Sequence, residues 1–392
     1  MNDSNRGETD TPPAPPPAPS PPAPPSERPP VTRRHKVLAV VLSTIGVLIV
    51  VVLVAGFLIH LPYVIISPGD ATPLDKQVVK IDGAQTYGHS GNVLFLTVRV
   101  SDHDPTVWRL VTSWLSSDRD VEKRQTVVGC LSDAENAVIN ARLMQQSQDD
   151  AKYVALTRLG YTVSADPPES VVTEACPGVP ANGKLMAGDQ VLAIDDQAVN
   201  QLSDVSKLVQ QHEPGDSIDV TYSRSGTTKA TKIVLGELVA NGTKCVKVQH
   251  VTNGTSCMGV EMQPFVSYHF PINVTINTQR VGGPSAGLAF TLAIIDDLTP
   301  GDLTGGRRVA VTGTIASNGE VGPVGGVEQK AITARQNGVS LMIVPRAELK
   351  DARSGAGSVR VVGVDNIDQA LSALQKAGGT AVPPASSVAA RS

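Results

Sequence analysis

The chain has 392 residues, a formal net charge of −4, and only 3% aromatic side chains against 18% charged. That length holds two or three domains with a sizeable core, packed from small and β-branched side chains. The mildly acidic balance leaves no electrostatic footprint for nucleic acid and argues against that class of partner.

Residues 1–36 begin with a proline-dominated stretch that cannot bury a core, so a disordered or polyproline-like tail is expected. Its plain reading is a spacer; a ligand for a proline-binding module is the other. Arg33-Arg34-His35-Lys36 then leads into an uncharged apolar run, residues 37–59. As a helix this run rises roughly 35 Å, enough to cross a bilayer with some tilt. It starts far from Met1, exceeds a signal-peptide core in length and precedes no small-x-small site. Basic residues before the run and none directly after it put the N-terminus in the cytoplasm. The expectation is a single-pass protein of the cell membrane with everything from His60 onward extracytoplasmic.

All four cysteines lie on that disulfide-permissive side. Cys245 and Cys257 flank a glycine-containing turn and form the expected local pair, leaving Cys130 with Cys176. Closing the shorter loop is worth about 3 kcal/mol in the chain-entropy picture. No CxxC or Cys/His cluster points to a metal, and nothing points to a cofactor.

Residues 60–160 read as an extracytoplasmic connector. Tyr63–Ser67 and Asn92–Val100 pattern as strands, separated by turn signals at Pro68-Gly69 and Tyr87-Gly88. Thr106–Trp114 patterns as a short helix. Ser132 and Glu135 form a capping box opening a helix to about Gln146, and a second helix is expected over Asp149–Leu159. This block shows no chemistry of its own. Whether its strands belong to a sheet further along the chain stays open.

In the next block, residues 161–240, a strand at Val171–Ala175 precedes Pro180-Ala181-Asn182-Gly183-Lys184-Leu185-Met186-Ala187-Gly188-Asp189. A helix at about Ser203–Gln211 and strands Ser217–Ser223 and Thr231–Leu235 follow. The Pro180–Asp189 run resembles the core motif of bacterial PDZ domains. That resemblance implies β-augmentation, an extended peptide adding a strand beside Val171, Val172 and Thr173. The segment ahead of that strand, Ala165-Asp166-Pro167-Pro168-Glu169, lacks the apolar-Gly-apolar loop that grips a free C-terminus. Capture of C-termini or of internal strands therefore stays open, and a β-rich spacer is the alternative.

The chemistry concentrates in residues 241–381. Gly282-Gly283-Pro284-Ser285-Ala286-Gly287 runs into an apolar segment ending at Pro300-Gly301, which reads as a tight loop opening a helix. Ser285 would then lie in the first turn, where unpaired N–H groups and the positive dipole end favour an oxyanion. Gly283–Gly287 also matches G-x-S-x-G, but an α/β-hydrolase needs a histidine after its serine, and all seven histidines precede Ser285. No S-x-x-K and no H-E-x-x-H occurs. A serine without histidine needs another base. Lys330 sits in the first turn of a helix predicted over Val327–Asn337, opened by Gly325-Gly326, where burial and the helix start would favour a neutral amine.

Gly-Pro-Ser-Ala-Gly followed after about 45 residues by Gly-Gly-Val-Glu-Gln-Lys resembles the proteolytic domain of the Lon family of Ser–Lys peptidases. Val311-Thr312-Gly313-Thr314-Ile315 matches the family's intervening strand. The resemblance implies Ser285 as nucleophile, Lys330 as general base and then acid, and Thr312 as the supporting hydroxyl. Gly283 and Pro284 shape the loop, and the Ser285 N–H lines an oxyanion hole. Where cytoplasmic members often carry an acid, this chain has Gly282, and G-x-x-x-x-G-K-[ST] is absent.

The expected fold class is α+β: a transmembrane helix, a PDZ-like β-rich domain and a Lon-type proteolytic α/β domain, then a short tail over residues 382–392. The expected function is ATP-independent, membrane-tethered serine endopeptidase activity on peptide or unfolded-protein substrates, with an oligomer allowed. The rival is a membrane-anchored peptide-binding protein whose protease scaffold is inactive.

Overall fold

The computed structural model describes residues 33–239, 242, 244–250, 254–278 and 281–382; most of the proline-rich tail and of the C-terminal tail lies outside them. The chain divides into two units, residues 1–55 and 56–392. Helix α1 (Arg33–Leu58) is unbroken, and its stretch Lys36–Leu58 is the one described helix long and apolar enough to cross a membrane.

Strands β1 (Tyr63–Pro73) and β2 (Asn92–Val100) are followed by α2 (Val107–Trp114), β3 (Asp120–Lys123) and α3 (Asp133–Arg158). Two local expectations are corrected here. Pro68-Gly69 is not a turn: β1 runs through it with a register shift between Pro68 and Ala71 against β2. A bulge tolerates the proline that a regular ladder would not. A Cβ on Gly69 would sit 2.5 Å from the Thr97 carbonyl oxygen, so only glycine allows the strands this close. Second, the two expected helices over 133–159 are one. Gln145 and Gln146 donate to Asp149 and Asp150 across the supposed break (2.9 and 2.8 Å), and polar residues at i,i+4 spacing support a helix. The Ser132–Glu135 capping box forms in full.

A second sheet comprises β4 (Glu169–Glu174), β5 (Gln190–Ile194), β6 (Ser217–Arg224), β7 (Thr227–Val234) and β8 (Glu261–Phe265), in the order β7-β6-β5-β4-β8. Helix α4 (Leu202–Val209) covers it, and Val172, Ile194, Ile218 and Val220 are fully buried beneath.

The chain then adds α5 (Gly287–Leu298), β9 (Arg308–Val311), α6 (Val327–Gln336), β10 (Leu341–Pro345), α7 (Leu349–Ala356), β11 (Arg360–Val364) and α8 (Ile367–Lys376). Strands β9 to β11 join the early strands in one sheet ordered β11-β10-β9-β2-β1-β3. β2 pairs parallel with β9, so the strand Asn92–Val100 stands at its centre. The second sheet is thus formed by residues that lie, in sequence, between two contributions to the sheet that holds β1 and β9.

Side chains alternate across this larger sheet, as a period of two requires. Phe95, Val309, Val311, Leu341 and Ile343 pack with α3, α5 and α8, whereas Leu96, Ala310, Met342 and Val344 pack with α6 and α7. Every residue of α5 is buried, consistent with an apolar sequence that lacks a polar stripe. Phe290 on α5 meets Phe95 with ring centroids 5.8 Å apart, and burying such a ring contributes about 2–3 kcal/mol.

Candidate active site

Ser285 lies further out from the helix than the sequence suggests. Helix α5 begins at Gly287 with Ala286 as its N-cap, so Ser285 occupies the turn before the helix rather than its first turn. Gly283 at φ +87° bends the chain, and the Gly287 N–H closes on the Pro284 carbonyl at 3.4 Å. This conformation is open to glycine and strained for other residues.

Helix α3 holds the loop in place. The Gly283 N–H donates to the Asn140 carbonyl, and Ser147 Oγ donates to the Pro284 carbonyl, both at 2.9 Å. A Cβ on Gly282 would lie 3.0 Å from Asn140 Cβ, and one on Gly287 would lie 2.9 Å from Ser147 Oγ. The glycines therefore permit close approach to a helix that, from the sequence, looked free of any role in the chemistry. No local signal links Asn140 or Ser147 to a loop more than a hundred positions away.

The inner side of the loop is fixed to the C-terminal end of β9, where parallel sheets commonly place their reactive groups. The Ser285 carbonyl accepts from the Gly313 N–H at 3.0 Å and from Thr312 Oγ1 at 3.2 Å. Leu288 returns its N–H to the Gly313 carbonyl at 3.1 Å. Among the described residues, the N–H groups of Ser285 and Ala286 donate to no protein acceptor.

Lys330 comes from the opposite face of the sheet. Gly326, at φ +64°, starts α6 and accepts the Lys330 N–H at 3.0 Å. The Lys330 side chain is 2% exposed, and Nζ donates to Thr312 Oγ1 at 3.2 Å. Burial lowers its pKa to about 8, against a smaller opposing pull from Glu348. Glu348 accepts the Val324 N–H at 2.8 Å, while its other oxygen is buried without a hydrogen-bond partner. Sequence reasoning missed this acid because it enters from the turn after β10.

Lys330, Thr312 and the Ser285 main chain thus form one hydrogen-bonded run. A direct Nζ–Oγ bond to Ser285 is not among the hydrogen bonds of the described residues. Three histidines pair with carboxylates elsewhere: His89 with Asp297, His212 with Asp195 and His269 with Asp166. His89 meets α5 at its far end, about 15 Å along the helix from Gly287.

The expected peptide-binding edge is corrected. β4, which carries Val171, Val172 and Thr173, is paired on both sides, with β5 and with β8, so it offers no free edge. The free edge belongs to β8. A cleft of about 970 Å³ lies between β8 and α4, lined by Val205 and Val209 from the helix and Met258, Gly259, Val260 and Met262 from the strand side. Met258-Gly259-Val260 is the apolar-Gly-apolar pattern that is missing before β4. It is visible in the sequence, but far downstream of where that loop was expected. Gly259 has φ +75°, and a Cβ there would meet Val179 at 2.4 Å.

Two disulfides border this cleft. Cys130 joins Cys176 (Cα–Cα 5.4 Å), tying the start of α3 to the end of β4, and Cys245 joins Cys257 (6.0 Å) directly before Met258. Cys130, Cys176 and Glu174 cluster closely, but with both sulfurs bonded to each other the group offers no thiolate for a metal.

Comparison with known proteins gives two family matches: the Lon protease (S16) C-terminal proteolytic domain over residues 222–375, and a PDZ domain over residues 157–235. Lon protease 2 of Herpetosiphon aurantiacus is 32% identical over 117 residues, which is 29% of this chain and 14% of the relative. The Lon protease of Roseiflexus castenholzii is 37% identical over 104 residues, 26% of this chain and 13% of that protein. The match therefore spans only a small part of each relative's length. Among solved structures, the PDZ domain of the SdrC-like protein from Listeria monocytogenes is 20% identical, covering 24% of this chain and 85% of that one at a TM-score of 0.20.

Proposed function

From a chain that carries a Lon-type (S16) proteolytic domain and a PDZ domain, we infer a serine endopeptidase that cuts peptide bonds through a Ser285–Lys330 dyad without ATP. The observation that carries this reading is the Lys330 amine. It is sealed from water, lowered to about pKa 8, and held by Thr312 beside the main chain of Ser285. Near neutral pH a useful fraction of it is unprotonated, as a general base requires.

Ser285 Oγ attacks the scissile carbonyl carbon and its proton passes to the neutral Lys330 amine. The free N–H groups of Ser285 and Ala286 receive the oxyanion. The Lys330 ammonium then protonates the departing amine as the C–N bond breaks, leaving an acyl-enzyme. Water adds to the ester carbonyl, gives its proton to Lys330, and Ser285 regains it as the acid product leaves. Thr312 fixes the amine throughout; its own O–H is spent on the Ser285 carbonyl, so it orients rather than transfers.

Helix α1 anchors the protein as a single membrane span with its N-terminus cytoplasmic and the catalytic domain extracytoplasmic. The apolar length of Lys36–Leu58 and the two disulfides support this placement. The substrates in this reading are flexible or unfolded extracytoplasmic segments. The cleft between β8 and α4 recruits those segments by strand addition to the free edge of β8.

A fluorophosphonate probe tests the reading on the full chain without nucleotide. The expected result is a covalent adduct mapped to Ser285, with loss of peptide hydrolysis in step. Hydrolysis with Ser285 unlabelled would assign the chemistry to another nucleophile and overturn the dyad, and adduct and hydrolysis both absent in a folded protein would leave only the tethered peptide-binding protein.

A further inference from the structure

The largest exposed apolar side chains outside the membrane-crossing stretch are on one short helix. Trp114 is 80% exposed and Leu115, its C-cap, 73%; Val111, one turn back, is 40% exposed. The opposite side of α2 is satisfied, with Ser113 fully buried and accepting from Arg119 at 3.4 Å. So α2 is amphipathic, and among the described residues its apolar side is left largely uncovered at Trp114 and Leu115.

The location of α2 says what covers that side. The Val107 N–H donates to the Ile59 carbonyl at 3.2 Å, and the Leu61 N–H donates to the Pro105 carbonyl at 3.1 Å. His60 and Thr106 pair as an isolated bridge. Trp108 lies over Gly56, where a Cβ would come within 2.1 Å of its Nε1. Gly56 precedes the last residue of the apolar stretch by two positions, about 3 Å of helix rise. The start of α2 is thus bonded to the residues with which the chain leaves the span. A further exposed valine, Val127, ends the helix Arg124–Val127, whose Arg124 N–H donates to the Pro62 carbonyl at 3.0 Å. The two most exposed of these side chains, Trp114 and Leu115, thus belong to a helix bonded to the residues that follow the apolar stretch.

We infer that the Val111–Trp114–Leu115 side of α2 lies in the lipid interface of the leaflet from which the chain emerges, as a second membrane contact beside the span. Amphipathic helices lie in this plane with their apolar side sunk about 5–10 Å into the headgroup–acyl boundary, and tryptophan favours that depth. The chain continuity favours lipid over a second copy of the protein, because any partner would have to share the exit point of the span. With α2 so docked, β3, which follows it and edges the six-stranded sheet, is held beside the membrane.

The inference rests on the reading of α1 as a membrane span, and the two can be tested apart. The full-length protein is reconstituted in phosphatidylcholine vesicles, and alkaline washing reports whether it is integrated. Vesicles containing lipids brominated high on the acyl chain, or near its end, then report the depth of tryptophan. The chain has two tryptophans, so Trp108→Phe isolates Trp114, and the difference between wild type and Trp114→Phe gives the same signal with Trp108 kept. The expected result is a roughly twofold drop in Trp114 emission with bromines high on the chain and a smaller drop with deep ones. Unquenched Trp114 emission in a wash-resistant protein overturns the interface contact alone. A blue-shifted but unquenched Trp114 overturns it in favour of coverage by protein. Protein lost on washing removes the span and this contact together.

Discussion

Replacing Lys330 by Met is expected to abolish peptide hydrolysis while making the protein more stable at neutral pH. As general base and then acid, Lys330 is worth at least about 10³-fold in rate, and Met can do neither job. The stability gain comes from the same burial that prepares the amine. Its folded pKa of about 8 lies below the 10.5 of an ordinary lysine, so the unfolded chain binds the proton more tightly than the folded one. Stability therefore rises as pH climbs from about 8 toward 10.5, and the full cost, about 3 kcal/mol, applies below that window. Met fills nearly the same volume without a charge, and removes a single hydrogen bond to Thr312 worth about 1 kcal/mol. The net gain is about 2 kcal/mol at pH 7 and disappears above pH 10. Denaturant midpoints of both proteins at the two pH values measure this. A Met variant no more stable than wild type at pH 7 would mean that the lysine is not held against its solvation.

Removing the Cys130–Cys176 disulfide by paired serine substitutions is expected to cost about 4 kcal/mol, from a sequence separation of 46 in the chain-entropy picture. Removing Cys245–Cys257, with a separation of 12, should cost about 3 kcal/mol. The longer bridge also has a mechanical consequence. It ties the sheet that carries the peptide cleft to the start of α3, and α3 holds Gly283 and Pro284 through Asn140 and Ser147. Arg142 reinforces that junction, hydrogen-bonding Glu169 and stacking over the Phe265 ring at 4.7 Å. Unfolding midpoints of the two double variants provide the comparison. Equal stability of the Cys130–Cys176 variant and wild type would show that the tie constrains nothing.

What the sequence discloses and what it hides divide along contact range. The glycines around Ser285 and before Lys330 are local patterns that can be read residue by residue, whereas the strand expected over Val311–Ile315 breaks at Thr312-Gly313. The Ser132–Glu135 capping box is legible in the same way, and it forms in full at the start of α3. The parts that are hidden depend on distant pairings. Asn140 and Ser147 look like ordinary helix residues until the nucleophile loop is laid against them. Met258-Gly259-Val260 is plain in the sequence, yet its partner strand β4 lies far upstream, so spacing alone points to the wrong edge. Glu348 reaches the Lys330 neighbourhood only because β10 and α6 are packed together. Pro68-Gly69 signals a turn by type, and pairing with β2 turns it into a bulge instead.

The central claim is that a buried, uncharged lysine takes the proton from Ser285. The pH dependence of Ser285 acylation, followed in single turnover with an activated ester, tests it most directly. Acylation should rise with pH through a midpoint near the Lys330 pKa of about 8, and both the rise and the rate should be lost in Lys330→Met. A midpoint near the ordinary histidine range, or a pH-dependent rate that survives the Met substitution, would contradict the account.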